Sequence, residues 1–491
     1  MTHIDKQKVP KQVSRVTSVL QDAGFEAHVV GGCVRDLLLG RDPKDWDITT
    51  NANPEQIQGL FEHTVYENIY GTVRVINDGE LTEALRVIEV TPYRLESSYS
   101  DHRHPDEVIF SNKIEDDLTR RDLTINAIAY DPIKDTIVDP HKGQDDLINK
   151  TVRAVGNAKD RITEDHLRIL RAIRIANELD FSIESKTQEA IVTHETLLAD
   201  VSAERIRDEL VKIVLSPAPA RGIEMAHRLG VWKYIIPELE EGIGNEQNGD
   251  HIYDVWVHNL KALQHAADEN WPLHIRLGAL LHDVGKPKTR RWSEEKNDWT
   301  FYGHDVVGAR QTAKIMARLR FSRETSDIVT KLVRHHLFFS DVEKITLSAV
   351  RRIVVHIGKE HIWDLVKVRF CDRIGMGRPK AEPFRLRKYE SMIEEVLRDP
   401  ITVGMLKVDG NILLKELGMK PGPRIGWILH ALLEDVLEDP ARNTKEYLVS
   451  RVTELEKLND TELKIKGEVG RDRQHEAEEY EIKKIRKKYR V

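Results

Sequence analysis

The spacing of apolar and polar residues divides the chain into two regions of different character. In the first, short apolar runs bounded by turn residues predict strands at 27–30, 45–50, 72–78 and 84–94. Helical spacing predicts helices at 12–24, 31–40, 54–61 and 118–130, and residues 131–147 are predicted to form a hairpin with turns. From about Asp160 onward nearly every segment has the apolar period of a helix. The pattern therefore predicts an α+β fold, with a mixed-sheet head followed by an all-helical body.

Two polar segments interrupt this pattern. Residues 94–116 (RLESSYSDHRHPDEVIFSNKIED) are long and irregular, and we expect them to form a mobile functional loop. The C-terminal segment, which ends KKIRKKYRV, is dense in charge. It is predicted to be either a solvated helix or a tail that touches RNA.

Composition restricts the class of protein. The chain has 491 residues, which is enough for about three or four domains. Its 75 Lys and Arg against 82 Asp and Glu give a net charge of −7, so any contact with nucleic acid must come from local basic patches. No apolar run approaches the roughly 18 residues of a spanning helix, and the N-terminus lacks a signal-peptide pattern. With only Cys33 and Cys371, we expect a soluble protein of the reducing cytoplasm.

Two aspartates in DWDITT form the first candidate site. In a strand, Asp45 and Asp47 would project to the same side and Trp46 to the other. Two ionised carboxylates so close repel each other unless a divalent cation lies between them, and Mg²⁺ prefers oxygen ligands of this kind. The pair therefore predicts a Mg²⁺ site. Glu89, on a neighbouring predicted strand, is either a third carboxylate of this site or an ordinary exposed residue.

A glycine pair precedes these aspartates. Gly31 and Gly32 lie between a predicted strand and a predicted helix whose first turn carries Arg35. A glycine turn at a helix N-terminus presents free N–H groups to phosphate. Together with the aspartates, this arrangement favours a nucleoside triphosphate bound with its metal ions.

The segments GGCVRDLLLGRDPKDWDITT and EDDLTRRDLTINAIAYD resemble the bacterial tRNA nucleotidyltransferase/poly(A) polymerase family, in particular its CCA-adding type. The resemblance continues in the family's order through DPHKGQDDL, RITEDHLRILRAIRIANELDF and SAERIRDEL, and covers roughly residues 25–215. It implies that tRNA is extended with CTP and ATP. It also implies that metals held by Asp45 and Asp47 activate the RNA 3′ hydroxyl and neutralise the departing pyrophosphate.

The resemblance also assigns residues to the nucleotide. It implies that Gly32, Arg35 and Arg121 bind the triphosphate, and that Asp122 and Asn126 lie near the sugar or support the loop. For Arg121 and Asp122 a structural ion pair is the alternative.

A polar stripe in ITEDHLRILRAIRIA is the candidate for base selection. It recurs every three residues at Asp165, Arg168, Arg171 and Arg174, while the apolar residues between them are predicted to be buried. Three arginines with few balancing acids would repel each other without an anionic partner. By resemblance, Asp165 and Arg168 read the incoming base. A carboxylate and a guanidinium match the amino group and ring nitrogen of both cytosine and adenine and mismatch uracil and guanine, so no template is needed.

A second group of candidate ligands lies in the helical body. Adjacent His282 and Asp283 end an apolar helix, with His258 before them and Asp372 after them, and this order resembles HD-domain phosphohydrolases over about residues 250–375. The resemblance implies a divalent metal, Mg²⁺, Mn²⁺ or Ni²⁺, with a bound water as nucleophile. Three further histidines either supply a second metal or line the pocket: His304, His335 and His336.

These features predict four domains. They are a nucleotidyltransferase head (1–150), a helical nucleotide-selecting and RNA-binding neck (151–245), an HD phosphohydrolase-like domain (246–378) and a helical tRNA-binding body with a charged tail (379–491). The leading hypothesis is CCA addition to tRNA with a hydrolytic side activity of the HD domain, and neither a membrane nor an obligate protein partner is implied. The alternatives are poly(A), A-only or CC-only addition, or an HD hydrolase with a non-catalytic RNA-binding head. The intact 94–116 loop favours an enzyme able to add A.

Overall fold

The computed structural model describes residues 4–66, 71–79, 82–96, 108–248, 251–337, 345–377, 384–398 and 402–491. Within these ranges the chain divides into two compact units. The first comprises residues 1–336 with 367–379, and the second comprises residues 337–366 with 380–491.

The head of the first unit alternates short strands with short helices. In chain order its elements are α1 (Lys11–Asp22), β1 (Ala27–Val30), α2 (Gly32–Leu38), β2 (Asp47–Thr50), α3 (Pro54–Leu60), β3 (Thr64–Tyr66), β4 (Val73–Ile76), α4 (Glu83–Arg86), β5 (Val87–Pro92), β6 (Arg94–Glu96), β7 (Val108–Phe110), α5 (Ile114–Thr119), β8 (Ala129–Asp131), β9 (Thr136–Val138) and α6 (Gly143–Ile148).

Seven of these strands form one mixed sheet in the order β3-β4-β5-β2-β1-β8-β9. Strands β2 and β5 are parallel, whereas β1 is antiparallel to both β2 and β8. Helix α1 packs on the sheet because its apolar period places Val13, Val16 and Leu20 on one buried face. The predicted α+β head is confirmed, and its core continues into the helices that follow it.

Several predictions about the head need correction. In the strand predicted at 84–94, residues 84–86 belong to helix α4, and the hairpin predicted at 131–147 ends in helix α6. The helix predicted at 118–130 is wrong: α5 ends at Thr119, a 3-10 turn spans Thr124–Asn126, and β8 begins at Ala129. The last apolar residues of this segment are buried in β8, which pairs with β1 on one side and β9 on the other, and a helical period does not describe such a strand. The predicted strand 45–50 begins only at Asp47. The predicted loop 94–116 contains the β6–β7 pair and the start of α5, and its residues 97–107 lie outside the described ranges.

The rest of the first unit is almost entirely helical. Its elements are β10 (Thr151–Val152), α7 (Ala158–Glu164), α8 (Arg168–Leu179), β11 (Ser182–Ile183), α9 (Ser185–His194), α10 (Ala203–Leu215), α11 (Pro219–Arg228), α12 (Pro237–Glu240), α13 (Val255–Asp268), α14 (Leu273–Leu281), α15 (Lys286–Thr289), β12 (Arg291–Ser293), β13 (Asp298–Thr300), α16 (His304–Arg318), α17 (Arg323–His335) and the part of α19 (Ile362–Gly375) from residue 367 on. The exceptions to the predicted all-helical body are the short pairs β10–β11 and β12–β13.

The second unit has its own core. It contains α18 (Leu347–Ile357), the start of α19, α20 (Phe384–Leu397), α21 (Gly410–Lys415), α22 (Pro423–Glu438), α23 (Lys445–Glu456) and α24 (Asp460–Lys488). The charged C-terminal segment is therefore a helix. Two of its last basic residues pair with acids of α20, Arg486 with Glu395 at 3.0 Å and Lys488 with Glu394 at 2.7 Å.

Two further observations bear on the class of protein. Among the helices in the described part of the chain, none has the length and apolar content needed to cross a bilayer. Cys33 and Cys371 are both free and buried, so no disulfide joins them.

Candidate functional site

The paired aspartates lie where β2 begins. Asp47 is the first residue of the strand, Asp45 lies in the bend before it, and Trp46 is buried on the opposite side. Burial raises the pKa of Asp47 to about 6, and the neighbouring charge of Asp45 adds to this rise. Within the described ranges neither carboxylate has a side-chain ion-pair partner. Two carboxylates without partners suit Mg²⁺, which commonly takes one or two protein oxygens and completes its shell with water and phosphate.

Glu89 is the residue opposite Asp47 on the parallel strand β5. Its charge contributes to the raised pKa of Asp47. Its carboxylate, however, accepts hydrogen bonds from Nε and Nη2 of Arg74, both at 3.1 Å. Among the described residues, Asp45, Asp47 and Glu89 do not form a cluster of three converging ligands. A role for Glu89 as third carboxylate stays a prediction.

The glycine turn lies against the arginine of the RRD segment. Gly31 has φ +87°, and a Cβ atom there would lie 3.0 Å from Nη1 of Arg121 and 3.8 Å from Oδ2 of Asp47. Only glycine fits both this backbone conformation and this space. The turn therefore lies between the guanidinium of Arg121 and the carboxylate of Asp47.

A chain of hydrogen bonds runs from Arg35 on α2 to helix α8. Nη1 of Arg35 donates to Oδ1 of Asn126 at 2.8 Å, and the amide of Asn126 donates to Oδ1 of Asp122 at 3.3 Å. Nε of Arg171 then donates to Oδ2 of Asp122 at 2.7 Å. Burial alone would raise the pKa of Asp122, but Arg171 and Arg168 hold it well below its usual range. Asp122 therefore supports the turn, one of its two predicted roles.

The alternative of a structural ion pair between Arg121 and Asp122 is wrong. Nη2 of Arg121 donates to Oδ2 of Asp117 at 3.0 Å, while Asp122 pairs with Arg171. Nε of Arg121 is buried and lacks a hydrogen-bond partner in the described part of the chain. Asp117 thus holds this guanidinium in place and leaves it with a free donor.

The candidate base-selecting residues Asp165 and Arg168 lie at the junction of α7 and α8. Oδ2 of Asp165 accepts from Nη2 of Arg205 at 2.8 Å, and its Oδ1 accepts from the backbone N–H of Leu167 at 3.0 Å. Nη1 of Arg168 donates to Glu164 at 2.8 Å, and its Nη2 donates to the carbonyl of Arg120 at 3.2 Å. Both side chains are therefore fixed by neighbours before any nucleotide binds.

The expectation that the arginine stripe lacks balancing acids is wrong. The predicted burial of the apolar positions between the arginines is confirmed. Arg171 pairs with Asp122, and Nε of Arg174 donates to Glu209 at 2.5 Å while its Nη1 donates to Glu178 at 2.9 Å. Repulsion between the arginines is offset within the chain, so it is no longer an argument for an anionic ligand.

Sequence reasoning missed these acidic partners. Glu164 and Asp117 each precede their arginine by four residues, a spacing that is readable from sequence alone. Glu209 and Arg205, in contrast, lie on helix α10 and reach Arg174 and Asp165, respectively, and no local spacing indicates those contacts.

The second group of candidate ligands is brought together at one buried place. His258 lies on α13, His282 and Asp283 follow the end of α14, and Asp372 lies on α19. Ligand atoms of these four residues all lie within 4.8 Å of one another, as predicted for a metal site. The structure adds His304, the first residue of α16, and His336, which follows α17, as a second group with Asp283. His335 is not part of either group among the described residues.

Asp283 lies between the two groups. Its Oδ2 is 3.1 Å from Nε2 of His258 and 3.2 Å from Nε2 of His282. Its Oδ1 is 3.2 Å from Nε2 of His304 and 3.6 Å from Nε2 of His336. One carboxylate therefore faces two sets of imidazoles with its two oxygens, an arrangement suited to bridging two cations.

Backbone carbonyls fix the orientation of three of these rings. Nδ1 of His282, His304 and His336 lies 2.8, 2.7 and 2.7 Å from the carbonyl oxygens of Ala279, Phe301 and Val333, respectively. A carbonyl only accepts, so Nδ1 carries the hydrogen and a neutral ring presents the lone pair of Nε2.

The resulting cluster has the electrostatics of a cation site. Nε2 of His304 and Nε2 of His336 face each other at 3.3 Å, and two lone pairs cannot form a hydrogen bond. Burial alone would lower the pKa of His282, but Asp283 and Asp372 raise it to about 10, so a proton partly neutralises the two carboxylates. The donor set of imidazole and carboxylate fits Mn²⁺, Ni²⁺ or Mg²⁺ with a retained water.

Family comparisons agree with this arrangement. A model described as the poly A polymerase head domain matches residues 27–153, one described as the probable RNA and SrmB-binding site of polymerase A matches residues 180–243, and the HD domain matches residues 250–371.

Individual relatives match most of the chain. The CCA-adding enzyme of Lactobacillus delbrueckii subsp. bulgaricus is 33% identical over 447 residues, covering 91% of this chain and 98% of the relative. The CC-adding tRNA nucleotidyltransferase of Thermus thermophilus is 32% identical over 421 residues, covering 83% and 89%. The crystal structure of the Bacillus stearothermophilus CCA-adding enzyme in complex with CTP superposes with a TM-score of 0.59 at 27% identity, covering 91% and 98%. The chain therefore belongs to the tRNA nucleotidyltransferase/poly(A) polymerase family of enzymes.

Proposed function

We propose that this enzyme adds or repairs the 3′-terminal CCA of tRNA from CTP and ATP without a nucleic-acid template. The observation that carries the proposal is the site at the start of β2, where two carboxylates without ion-pair partners lie beside the guanidinium of Arg121. Most of the relatives reported above are named for CCA addition, and one of the solved structures holds CTP.

In this proposal Asp45 and Asp47 hold Mg²⁺. Bound Mg²⁺ supplies charge neutralisation for the pyrophosphate and lowers the pKa of the RNA 3′ hydroxyl. Arg121 contributes its free Nε donor to the triphosphate, and Asp117 keeps the guanidinium from turning away. Arg35 adds a second positive charge, held by Asn126. Gly32 lets the triphosphate approach the start of α2 closely.

Base selection falls to Asp165 and Arg168. A carboxylate offers about four acceptor positions, and the contacts with Arg205 and Leu167 occupy only part of them. Asp165 therefore accepts from the exocyclic amino group of cytosine or adenine, while Arg168 donates to the ring nitrogen beside it. Uracil and guanine present an acceptor where Asp165 needs a donor and a donor where Arg168 needs an acceptor, so neither of these two contacts would form. Arg171 and Arg174 set the position of α8 through Asp122 and Glu209.

The products of one assay separate CCA addition from its alternatives. A tRNA lacking its last three nucleotides is incubated with CTP alone, with ATP alone and with both, and the products are resolved on a sequencing gel. CCA addition requires both nucleotides for full extension by three residues. A stop after CC, a single added A, or a long A tract with ATP alone identifies the CC-only, A-only or poly(A) alternatives.

We propose that the chain has the four functional regions predicted from the sequence. They are the head, the neck, the HD domain and a C-terminal body that holds tRNA. The C-terminal body would meet the RNA backbone through scattered Lys and Arg, so tRNA affinity should fall as salt rises. In that body Arg424 is structural, since its Nη2 donates to the carbonyls of Glu456 and Leu458 at 3.1 and 3.0 Å.

A second activity is proposed for the HD domain. We propose that it hydrolyses phosphate esters with two divalent cations, one held by His258, His282 and Asp372, the other by His304 and His336, and both by Asp283. The observation that favours it is the position of Asp283 between the two imidazole groups. Such ions supply a bound water of lowered pKa as nucleophile.

The hydrolase test uses the full chain with added Ni²⁺, Mn²⁺ or Mg²⁺ and two substrates, p-nitrophenyl phosphate and adenosine 2′,3′-cyclic phosphate. Asp283→Asn should abolish hydrolysis and leave CTP incorporation into tRNA intact, and Asp47→Asn should do the reverse. If the parent hydrolyses neither ester with any of these metals, the HD domain is structural or regulatory.

A further inference from the structure

The hairpin formed by β12 and β13, between α15 and α16, carries two tryptophan rings that contact each other. Strands β12 and β13 pair so that Trp292 lies opposite Trp299, and their ring centroids are 5.2 Å apart with the planes nearly perpendicular. The guanidinium of Arg290 lies over the ring of Trp299, 3.7 Å from its centroid. Arg290 therefore lies over the face of Trp299, and the two indoles contact each other edge to face.

The indole of Trp292 faces solvent on one side. Trp292 is 49% exposed, and Tyr302, just beyond the hairpin, is 74% exposed. Exposed aromatic rings beside cationic side chains are the groups on which unpaired bases stack. Cationic side chains accompany them: Arg291 and Lys296 are exposed, and Nζ of Lys296 is 2.7 Å from the hydroxyl of Tyr302.

The hairpin is joined directly to the HD metal cluster. The carbonyl of Phe301, which follows β13, orients the ring of His304 at 2.7 Å. The amide of Asn248 donates to the carbonyl of Trp299 at 2.6 Å. Nζ of Lys286, which is 2.6 Å from Oδ2 of Asp283, lies 5.7 Å from the ring centroid of Phe301.

Among the six candidate ligands, the one nearest the hairpin has the most exposed side chain. The side chain of His304 is 9% exposed, compared with 0% for His258, His282 and His336, 2% for Asp283 and 5% for Asp372. Two cations border the cluster: Lys286, which pairs with Asp283 and is 8% exposed, and Arg369, which pairs with Asp372 and is 18% exposed. A phosphate that reaches the cations past His304 would therefore leave the rest of its molecule next to the hairpin.

We propose that the β12–β13 hairpin, with Arg290 before it and Tyr302 after it, is a platform that holds the base of the nucleotide or single-stranded RNA 3′ end whose phosphate enters the HD site. This inference rests on the hydrolase activity proposed for the HD domain. Aromatic faces combined with arginine are the common means of holding unpaired bases, whereas a substrate without a base would gain nothing from the open face of Trp292. The base stacks on Trp292, Arg291 meets the backbone, and the terminal phosphate points to His304 and Lys286.

The test compares ligands with and without a base on the full chain. Binding of a fluorescein-labelled trinucleotide ending in a 3′-phosphate is measured by anisotropy against the same molecule with an abasic 3′ residue. Trp292→Ala should weaken binding of the base-containing ligand by about tenfold to a hundredfold, the range of one base–aromatic stack, and leave the abasic ligand unaffected. Trp292→Phe keeps the ring and should stay close to the parent, whereas Trp292→Leu should behave like the alanine variant.

Two further measurements separate the possible failures. CTP incorporation into tRNA by each variant reports that the chain is folded, since the hairpin lies outside the proposed nucleotidyl-transfer site. The ratio of KM values for adenosine 2′,3′-cyclic phosphate and p-nitrophenyl phosphate should rise in Trp292→Ala. If Trp292→Ala binds both trinucleotides as the parent does, Trp292 only stabilises the hairpin by packing against Trp299, and the platform is refuted. If hydrolysis of both esters is absent while the binding difference persists, the hydrolase proposal fails and the platform stands.

Discussion

Nε of Arg171 on helix α8 donates to Oδ2 of Asp122 in the head at 2.7 Å. Asp122 is also the partner of Asn126, whose side-chain oxygen accepts from Arg35. One buried carboxylate therefore joins the helix that carries Arg168, proposed to select the base, to the helix that carries Arg35, proposed to bind the triphosphate. A shift of either helix changes the distance between the base site and the phosphate site.

Asp122→Ala should therefore weaken both stability and catalysis. We expect a loss of roughly 2 kcal/mol in the free energy of unfolding, at the low end for a broken buried pair because the side chain of Arg171 is 37% exposed. We also expect a larger loss in kcat than in KM for CTP, since positioning is lost while the phosphate contacts remain. Urea unfolding and steady-state kinetics measure the two effects. If the variant is less stable but its kcat is unchanged, the Asp122–Arg171 pair is purely structural and the predicted effect on catalysis is wrong.

Arg168→Ala should relax or abolish the preference for CTP and ATP. Removing one charged hydrogen bond to the ring nitrogen should reduce discrimination against UTP by about tenfold to a hundredfold. The measurement is kcat/KM for each of the four nucleotides with tRNA lacking CCA. Arg221→Ala is a matched control, because Arg221 bonds Asn177 on the same helix but belongs to no proposed nucleotide contact. Unchanged relative incorporation of all four nucleotides would count against the assignment.

Asp47→Asn should inactivate nucleotide transfer and stabilise the metal-free protein. Folding raises the pKa of Asp47 from 3.8 to about 6, so the folded chain holds this proton more tightly than the unfolded chain. The stability of the parent in EDTA therefore falls as pH rises from about 4 to 6, and the penalty is fully present above that range. At pH 7.5 in EDTA the variant should melt higher than the parent, and near pH 4 the difference should vanish.

Mg²⁺ provides the complementary measurement for this aspartate. It should raise the Tm of the parent at pH 7.5 and leave Asp47→Asn almost unaffected. Asp78→Asn serves as the control, since Asp78 is 83% exposed and should change neither curve. An equal Mg²⁺ response in the parent and in Asp47→Asn would remove Asp47 from the metal site.

The HD cluster should bind two divalent cations with release of protons. After dialysis against Mn²⁺, elemental analysis of Asp47→Asn protein should give about two ions per chain, with one fewer for His336→Ala and none for Asp283→Asn. Because the pKa of His282 is raised to about 10 without metal, a proton must leave before this ring can bind a cation. Affinity should therefore fall as pH is lowered, and calorimetry in two buffers should detect the released proton. A stoichiometry unchanged by Asp283→Asn would rule out the bridging role.

The second unit depends on a close crossing of α22 and α24. A Cβ atom on Gly470 would lie 2.2 Å from the carbonyl oxygen of His430, so Gly470→Ala should destabilise this unit by about 1–3 kcal/mol. Gly426→Ala is the matched control on α22, where a Cβ atom meets nothing within 4 Å. That change should stabilise the helix by roughly 0.5–1 kcal/mol. Thermal unfolding compares the two, and equal Tm values would contradict the close packing.

The sequence by itself determined the mixed head, the helical body, the glycine turn, the paired aspartates and the four candidate HD ligands. Each of these depends on local spacing or on the order of motifs, and both can be read directly from the amino-acid sequence. The helix predicted at 118–130 failed because the apolar residues there are buried by long-range strand pairing, which overrides a local period.

Only the tertiary structure decided which charges are partners. Asp122 meets Arg171, Glu209 meets Arg174 and Arg205 meets Asp165 across separations of 35 to 49 residues, so the apparently unbalanced stripe is balanced in space. His304 and His336 are brought to the candidate metal cluster in the same way, because the fold places their Nε2 atoms 3.2 and 3.6 Å from Oδ1 of Asp283. A charge is neutralised by whichever group the fold places within a few ångströms of it, and the order of residues along the chain does not contain that distance.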